Sequence, residues 1–393
     1  MEDSIMSILN AKEYHVCVIG SGLSGLCCAR SLAKLGFKVH VIEQLNTLGG
    51  LIRPAKIGDE YAELLPHHLR KTDKGMLQLC KELGIKDKIN WYDSLWQGRA
   101  AKRKIGYFDG GFNDLTNALS QDITDNDGIF YYSTVATEIV YNNVELDAEA
   151  ALDSNTNANS DSYRNFCIKC MLHNNSRHRI YCDYVILTGP CNQLLTSSST
   201  LNLPKEYKKD LKSIKYGSTL SLILTLKKNP SDAYFRYIEQ SDIPFTRIVN
   251  HSACFGERKY GGHLVYLVGD MDAEDPLWAE DDETIKKLYF NAFQKLYPSI
   301  KKTDIKNWRL TKCKNTTVNK YPQAQILNPV EGLLICSPSF ISELHDKNNE
   351  SRMEHCFTLS EKVVNNIIAL TRDKRASLVQ KLMSDAEKQY IVD

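Results

Sequence analysis

The residues best suited to chemistry are three glycines, an acid and a second glycine pair, all within His15–Gly50. Gly20, Gly22 and Gly25 stand in G-x-G-x-x-G spacing, after the apolar run His15–Ile19 and before Leu23–Leu35, which reads as a helix. In this pattern the first glycine permits a tight turn, and the second lets a pyrophosphate reach the backbone. The third lets the helix lie close on the strand. The unpaired N–H groups at Leu23 and Ser24 and the positive end of the helix dipole would face the phosphates. Gly36 would end the helix. Lys38–Ile42 is a second strand, and Glu43 at its tip is placed to accept hydrogen bonds from a ribose diol. Glycines that served packing alone would explain the turn but leave Glu43 without a role, so the stretch predicts dinucleotide binding.

FAD and NAD share these features, and the residues that follow separate them. Gly49, Gly50 and then Arg53 come shortly after Glu43. This arrangement resembles the FAD-binding signature of the amine oxidase superfamily, which also holds protoporphyrinogen oxidases, phytoene desaturases and UDP-galactopyranose mutases. Backbone free of side chains at the pair can lie against a diphosphate and flavin, and Arg53 can offset phosphate charge. The resemblance implies FAD as cofactor. It also implies an α/β fold: a Rossmann-like FAD-binding domain with a doubly wound, mostly parallel sheet, and a second α+β substrate domain.

Further residues gain meaning from the resemblance. Pro66-His67-His68 precedes an amphipathic stretch, Lys71–Leu83, closed by Gly84. In relatives a histidine-bearing loop at this place comes over the flavin, and mutases carry a similar Pro-His. His67 or His68 would then hydrogen-bond the flavin or move a proton near neutral pH; an ordinary loop pair is the alternative. Gly189, after the strand Tyr184–Thr188, falls at the family's exit from the FAD domain, beside the nucleotide. Pro244–His251 resembles a Pro-aromatic-Thr stretch of the superfamily, which would turn Arg247 toward a substrate carboxylate or phosphate; a surface ion pair explains it as well. Tyr321, on the return segment, would be an aromatic wall of the substrate cavity. Near the C-terminus the match frays. Ser337-Pro338-Ser339, Arg352 and Ser360 stand where the family expects glycines, and Glu343, Asp346 or Glu350 would have to supply the acid that holds the ribityl chain.

Composition sets the outer bounds. At 393 residues two domains are expected. These are an FAD-binding domain over 14–56, 108–200 and 322–371 and a substrate domain over 57–107 and 201–321. The polar stretch 147–162 reads as a surface or disordered insertion, and 372–393 as a peripheral tail. A net charge of +1 gives no field that would steer the chain to nucleic acid. The 12 cysteines are scattered, and Cys167-x-x-Cys170 lacks a matching second pair, so reduced thiols are expected, with no metal site. No apolar run is long enough to span a bilayer. The chain is expected to be cytoplasmic, a monomer or homodimer, with peripheral membrane contact left open.

No second G-x-G-x-x-G accompanies the first, which argues against a two-nucleotide reductase. The expected function is an FAD-dependent oxidoreductase taking hydride from a small organic substrate to flavin N5, with reoxidation by oxygen or another acceptor. A non-redox mutase acting on a nucleotide sugar and a non-catalytic flavin-binding protein are the alternatives. Substrate and acceptor are not legible.

Overall fold

The computed structural model describes residues 11–57, 60–97, 103–141, 164–198, 201–257, 260–272, 274–320, 326–340 and 351–389. The insertion expected over 147–162 lies outside them, as do Tyr321, Glu343, Asp346 and Glu350.

A five-stranded parallel sheet carries the nucleotide motif. Its order is Leu333–Ile335, Tyr184–Leu187, β1 (His15–Ile19), β2 (Lys38–Ile42), Ile129–Tyr131. Tyr184–Leu187 and the Val16–Ile19 part of β1 read as unbroken apolar runs because both faces are covered, whereas β2 alternates, with Lys38 exposed and Val39, Val41 and Ile42 buried. Helix α1 (Leu23–Lys34) lies against the sheet and against the helices of the chain's middle and C-terminal part. On the other face the antiparallel strands Thr134–Tyr141, Phe166–Leu172 and Arg177–Cys182 pack against β1 and β2.

Helices α2 (Lys74–Glu82), α3 (Asn113–Asp125) and α4 (Arg352–Gln389) complete this layer. The buried Arg30 of α1 joins two of them, donating to Asp122 of α3 at 2.6 Å and Glu82 of α2 at 2.8 Å. Helix α2 starts three residues later than the apolar pattern predicts. Asp73 accepts from Arg70 N and from Ser351 N, each at 2.8 Å, and so holds the chain out of the helix. Helix α4 extends well past the expected end near Leu370.

The second large sheet has six strands, in the order Ile305–Lys320, Lys215–Leu226, His263–Asp272, Arg247–Asn250, Phe235–Tyr237, Trp96–Gln97. Period-two alternation assigns its faces. Leu220, Leu222, Leu224 and Leu226 pack with Ile285, Tyr289 and Phe293 of the helix Asp282–Leu296. The alternate positions Thr219, Ser221, Ile223 and Thr225 point the other way, and Ile223 joins the main core. A second face that is buried yet rich in hydroxyls is unusual for a covered sheet.

Candidate active site

The glycines divide the work of the nucleotide loop. Gly20 has φ +103° and donates its N–H to Ile42 O at 2.9 Å, so the turn needs its left-handed conformation. A Cβ on Gly25 would stand 2.1 Å from Gly20 O, so that glycine lets α1 close on β1. Gly22 is different. Its φ of −63° suits any residue, and a Cβ there would meet nothing within 4 Å. Neither conformation nor protein packing requires glycine at Gly22, whereas a group approaching the N-terminus of α1 does.

The second glycine pair is seated on this loop. Gly49 N donates to Ser21 O at 3.0 Å, and a Cβ on Gly50 would lie 3.0 Å from Gly22 Cα. Gly49 and Gly50 both have positive φ. Glu43 is buried at the tip of β2, where Oε2 accepts from Ser21 N at 3.0 Å and Oε1 from Leu45 N at 2.9 Å. The Ser21 hydroxyl also donates to Oε2, at 2.5 Å. A carboxylate offers about four acceptor positions, so this one is oriented and still able to take a further donor. Glu43 lines a cavity of about 280 Å³ at the C-terminal ends of the parallel strands, with Gly20, Val135, Ala136, Gly189 and Gln193. Such ends are where open α/β sheets bind nucleotides. Leu23 and Ser24 open α1 as expected, but the Ser24 hydroxyl turns inward to the thiols of Cys336 and Cys356. Arg53 follows the glycine pair, half-buried, with its charge felt at Cys313. The cradle, the oriented acid and the open approach at Gly22 fit the adenosine and diphosphate of FAD.

The histidine loop leads to the second sheet. His67 Nδ1 lies 2.8 Å from Leu65 O, and its ring meets Phe112 edge-on. His68 Nδ1 lies 3.3 Å from the Tyr234 hydroxyl, with Trp96 and Tyr234 edge-on to its ring. Burial pushes His67 down to about 4 and His68 to about 3, so both imidazoles are neutral near pH 7. Crowding by protein penalises the imidazolium and leaves them as neutral hydrogen-bonding groups.

A buried acid that sequence reasoning passed over organises the neighbourhood. Glu63 accepts from Phe112 N at 2.7 Å and from the Tyr107 hydroxyl at 2.9 Å, and the Tyr266 hydroxyl donates to its backbone oxygen at 2.9 Å. Desolvation raises its carboxyl to about 7 against the opposing pull of these hydrogen bonds. Tyr107 stacks on Phe255 and meets His251 edge-on, so Glu63 pins an aromatic wall between the two large sheets. Its one sequence signal was an acid inside the apolar stretch Ala62–Leu65. Arg247 is ion-paired with Asp270 of the neighbouring strand, and both side chains are about 70% covered (28% and 29% exposed). Its charge also bears on His67, lowering the proton affinity of the imidazole.

The comparisons with known proteins agree with this geometry. The family described as flavin containing amine oxidoreductase matches residues 90–333. This chain belongs to that family. The NAD(P)-binding Rossmann-like domain matches residues 18–83, which hold most of the nucleotide loop. Among the relatives of this chain is the Dictyostelium discoideum protein described as a probable flavin-containing monoamine oxidase A. It is 30% identical over 107 residues, 27% of this chain and 23% of that one. The 15-cis-phytoene desaturase of Synechococcus elongatus is 39% identical over 78 residues, 20% of this chain and 16% of that one. The matched stretches thus span less than a quarter of the curated relatives. The fold is shared over far more. A reduced UDP-galactopyranose mutase superposes with a TM-score of 0.67 at 12% identity, covering 91% of this chain and 96% of that one. A putrescine oxidase variant with redesigned cofactor binding gives 0.65 at 10% identity, covering 91% and 99%. No helix among the described residues is long and apolar enough to cross a membrane.

Proposed function

We propose that this family member is an FAD-dependent oxidoreductase acting on a small organic substrate. The observation that carries the proposal is Gly22, where an unstrained backbone and open space make glycine needless for the protein itself. Gly20, Gly22, Gly49, Gly50 and the first N–H groups of α1 would hold the diphosphate, Glu43 the ribose, Arg53 a phosphate charge, and Gly189 the nucleotide edge. Bound FAD would supply the hydride acceptor, to be reoxidised by oxygen or another acceptor. The protein's part would be to exclude water and orient the substrate. The wall of Tyr107, Phe255 and Tyr266, held by Glu63, excludes solvent. The neutral His67 and His68 would offer hydrogen bonds without charge, and Arg247 a fixed guanidinium. The proposed division is an FAD domain over 14–56, 108–200 and 322–371 and a substrate domain over the segments between. All twelve cysteines are free thiols, which supports a reducing compartment such as the cytoplasm.

The test is the visible spectrum of the purified protein, followed by acid release of the chromophore. Flavin bands with FAD in the supernatant are the expected result, and bleaching under a substrate panel then reads hydride transfer. A colourless protein that takes up no added FAD would sink the proposal.

A further inference from the structure

One face of the six-stranded sheet carries a connected run of polar groups that ends on a cation with no counter-charge among the described residues. Arg247 is paired with Asp270, and Thr219 Oγ1 donates to Asp270 Oδ1 at 2.7 Å. Thr219 Oγ1 lies 2.6 Å from Thr316 Oγ1, and the Thr316 carbonyl accepts from Arg352 Nη1 at 2.8 Å. Arg352 opens α4, whose start is fixed by the bond from Ser351 N to Asp73. The two guanidiniums are thus the ends of one hydrogen-bonded run, and the charges of both reach His67 and lower its proton affinity. Their charges differ in what balances them. Asp270 offsets Arg247, and burial keeps the imidazole neutral. Arg352 is half-buried and held by a neutral carbonyl alone, with no carboxylate paired to it among the described residues. A fixed, partly desolvated guanidinium with one edge bound and the other edge free is suited to a planar or tetrahedral oxyanion.

We propose that Arg352 binds an anionic oxygen group, carboxylate or phosphate, of the substrate, with Arg247 and His67 flanking it. This deepens the flavoenzyme reading and rests on it for the word substrate. The cation also stands where the family resemblance led us to expect glycine, so the side chain adds a charge to the pocket that a glycine would not supply.

Calorimetric titration of the flavin-loaded protein with benzoate, phenyl phosphate and uncharged benzyl alcohol tests the assignment. At least one anion should bind about tenfold or more tightly than the alcohol, as a charge-assisted contact requires, and the better anion tells carboxylate from phosphate. Arg352→Met should remove that preference while flavin absorbance per mole of protein stays unchanged. Arg352→Lys should restore part of it, and Lys295→Met, an exposed cation on the helix that covers the opposite face of the sheet, should leave it intact. Equal binding of alcohol and anions, no binding of either anion, or an undiminished preference in Arg352→Met would overturn the proposal. Loss of flavin from Arg352→Met would also overturn it, by moving the residue to the cofactor. If the protein proves unable to hold flavin, the same titrations on the flavin-free chain still read the anion site, so the two ideas fail separately.

Discussion

Gly22 and Gly25 are three positions apart and make opposite predictions. Valine at Gly22 meets open space, so Gly22→Val should fold with an unchanged flavin-free melting temperature and lose flavin on gel filtration. Valine at Gly25 meets backbone at 2.1 Å, so Gly25→Val should fail to fold. A Gly22→Val protein that keeps full flavin would remove the nucleotide assignment. Glu63 carries a prediction about pH. Its carboxyl rises from 4.5 to about 7 on folding. Below about pH 4.5 it is protonated in both states. As pH rises toward 7 the unfolded chain releases the proton and the folded chain does not, so stability is lost across that window, by about 3 kcal/mol. Glu63→Gln cannot titrate, and denaturant melts at a series of pH values should show this part of the slope gone. The variant should also keep the Phe112 N–H contact, because the amide retains one acceptor oxygen. The glycines and Glu43 were legible because backbone demands and strand-tip position are local. Glu63 was not, because its significance comes from Tyr107, Phe112 and Tyr266, up to 203 positions away.

Two helices cap each other across the fold. Glu354 of α4 accepts from Gly75 N at 2.7 Å and Met76 N at 2.8 Å, taking up free donors at the start of α2. Asp73, just before α2, returns a contact to Ser351 N at the start of α4. Glu354→Ala strands two buried N–H groups and should cost about 2–3 kcal/mol in chemical denaturation, with Glu354→Gln recovering part. An unchanged midpoint for the alanine variant would mean that water replaces the cap. Apolar periodicity and Gly84 marked α2 well, but the cap is contributed from 278 or more residues away and has no local signature. That the hydroxyl-bearing face of Thr219, Ser221 and Thr225 is buried rather than a solvent face likewise follows from what packs over it.

At the scale of the molecule, ligand binding should add to the stability of the folded chain as a whole. FAD binding only the folded chain adds about 2.7 kcal/mol at a hundredfold excess over its dissociation constant. Thermal melts should therefore rise by several degrees with added FAD in the parent protein and stay level in Gly22→Val. The sequence alone determined the strand–glycine–helix unit, its acid, the glycine pair and hence the cofactor class and family, because these depend on a contiguous backbone path of some 36 residues, His15–Gly50. Tertiary structure decided the rest. Burial made His67 and His68 neutral, Asp270 took up the charge of Arg247, and the meeting of α4 with the strand Ile305–Lys320 gave Arg352 a carbonyl partner and, among the described residues, no carboxylate. Charge state and pairing are set by neighbours in space, and one-dimensional spacing does not encode which neighbours those are.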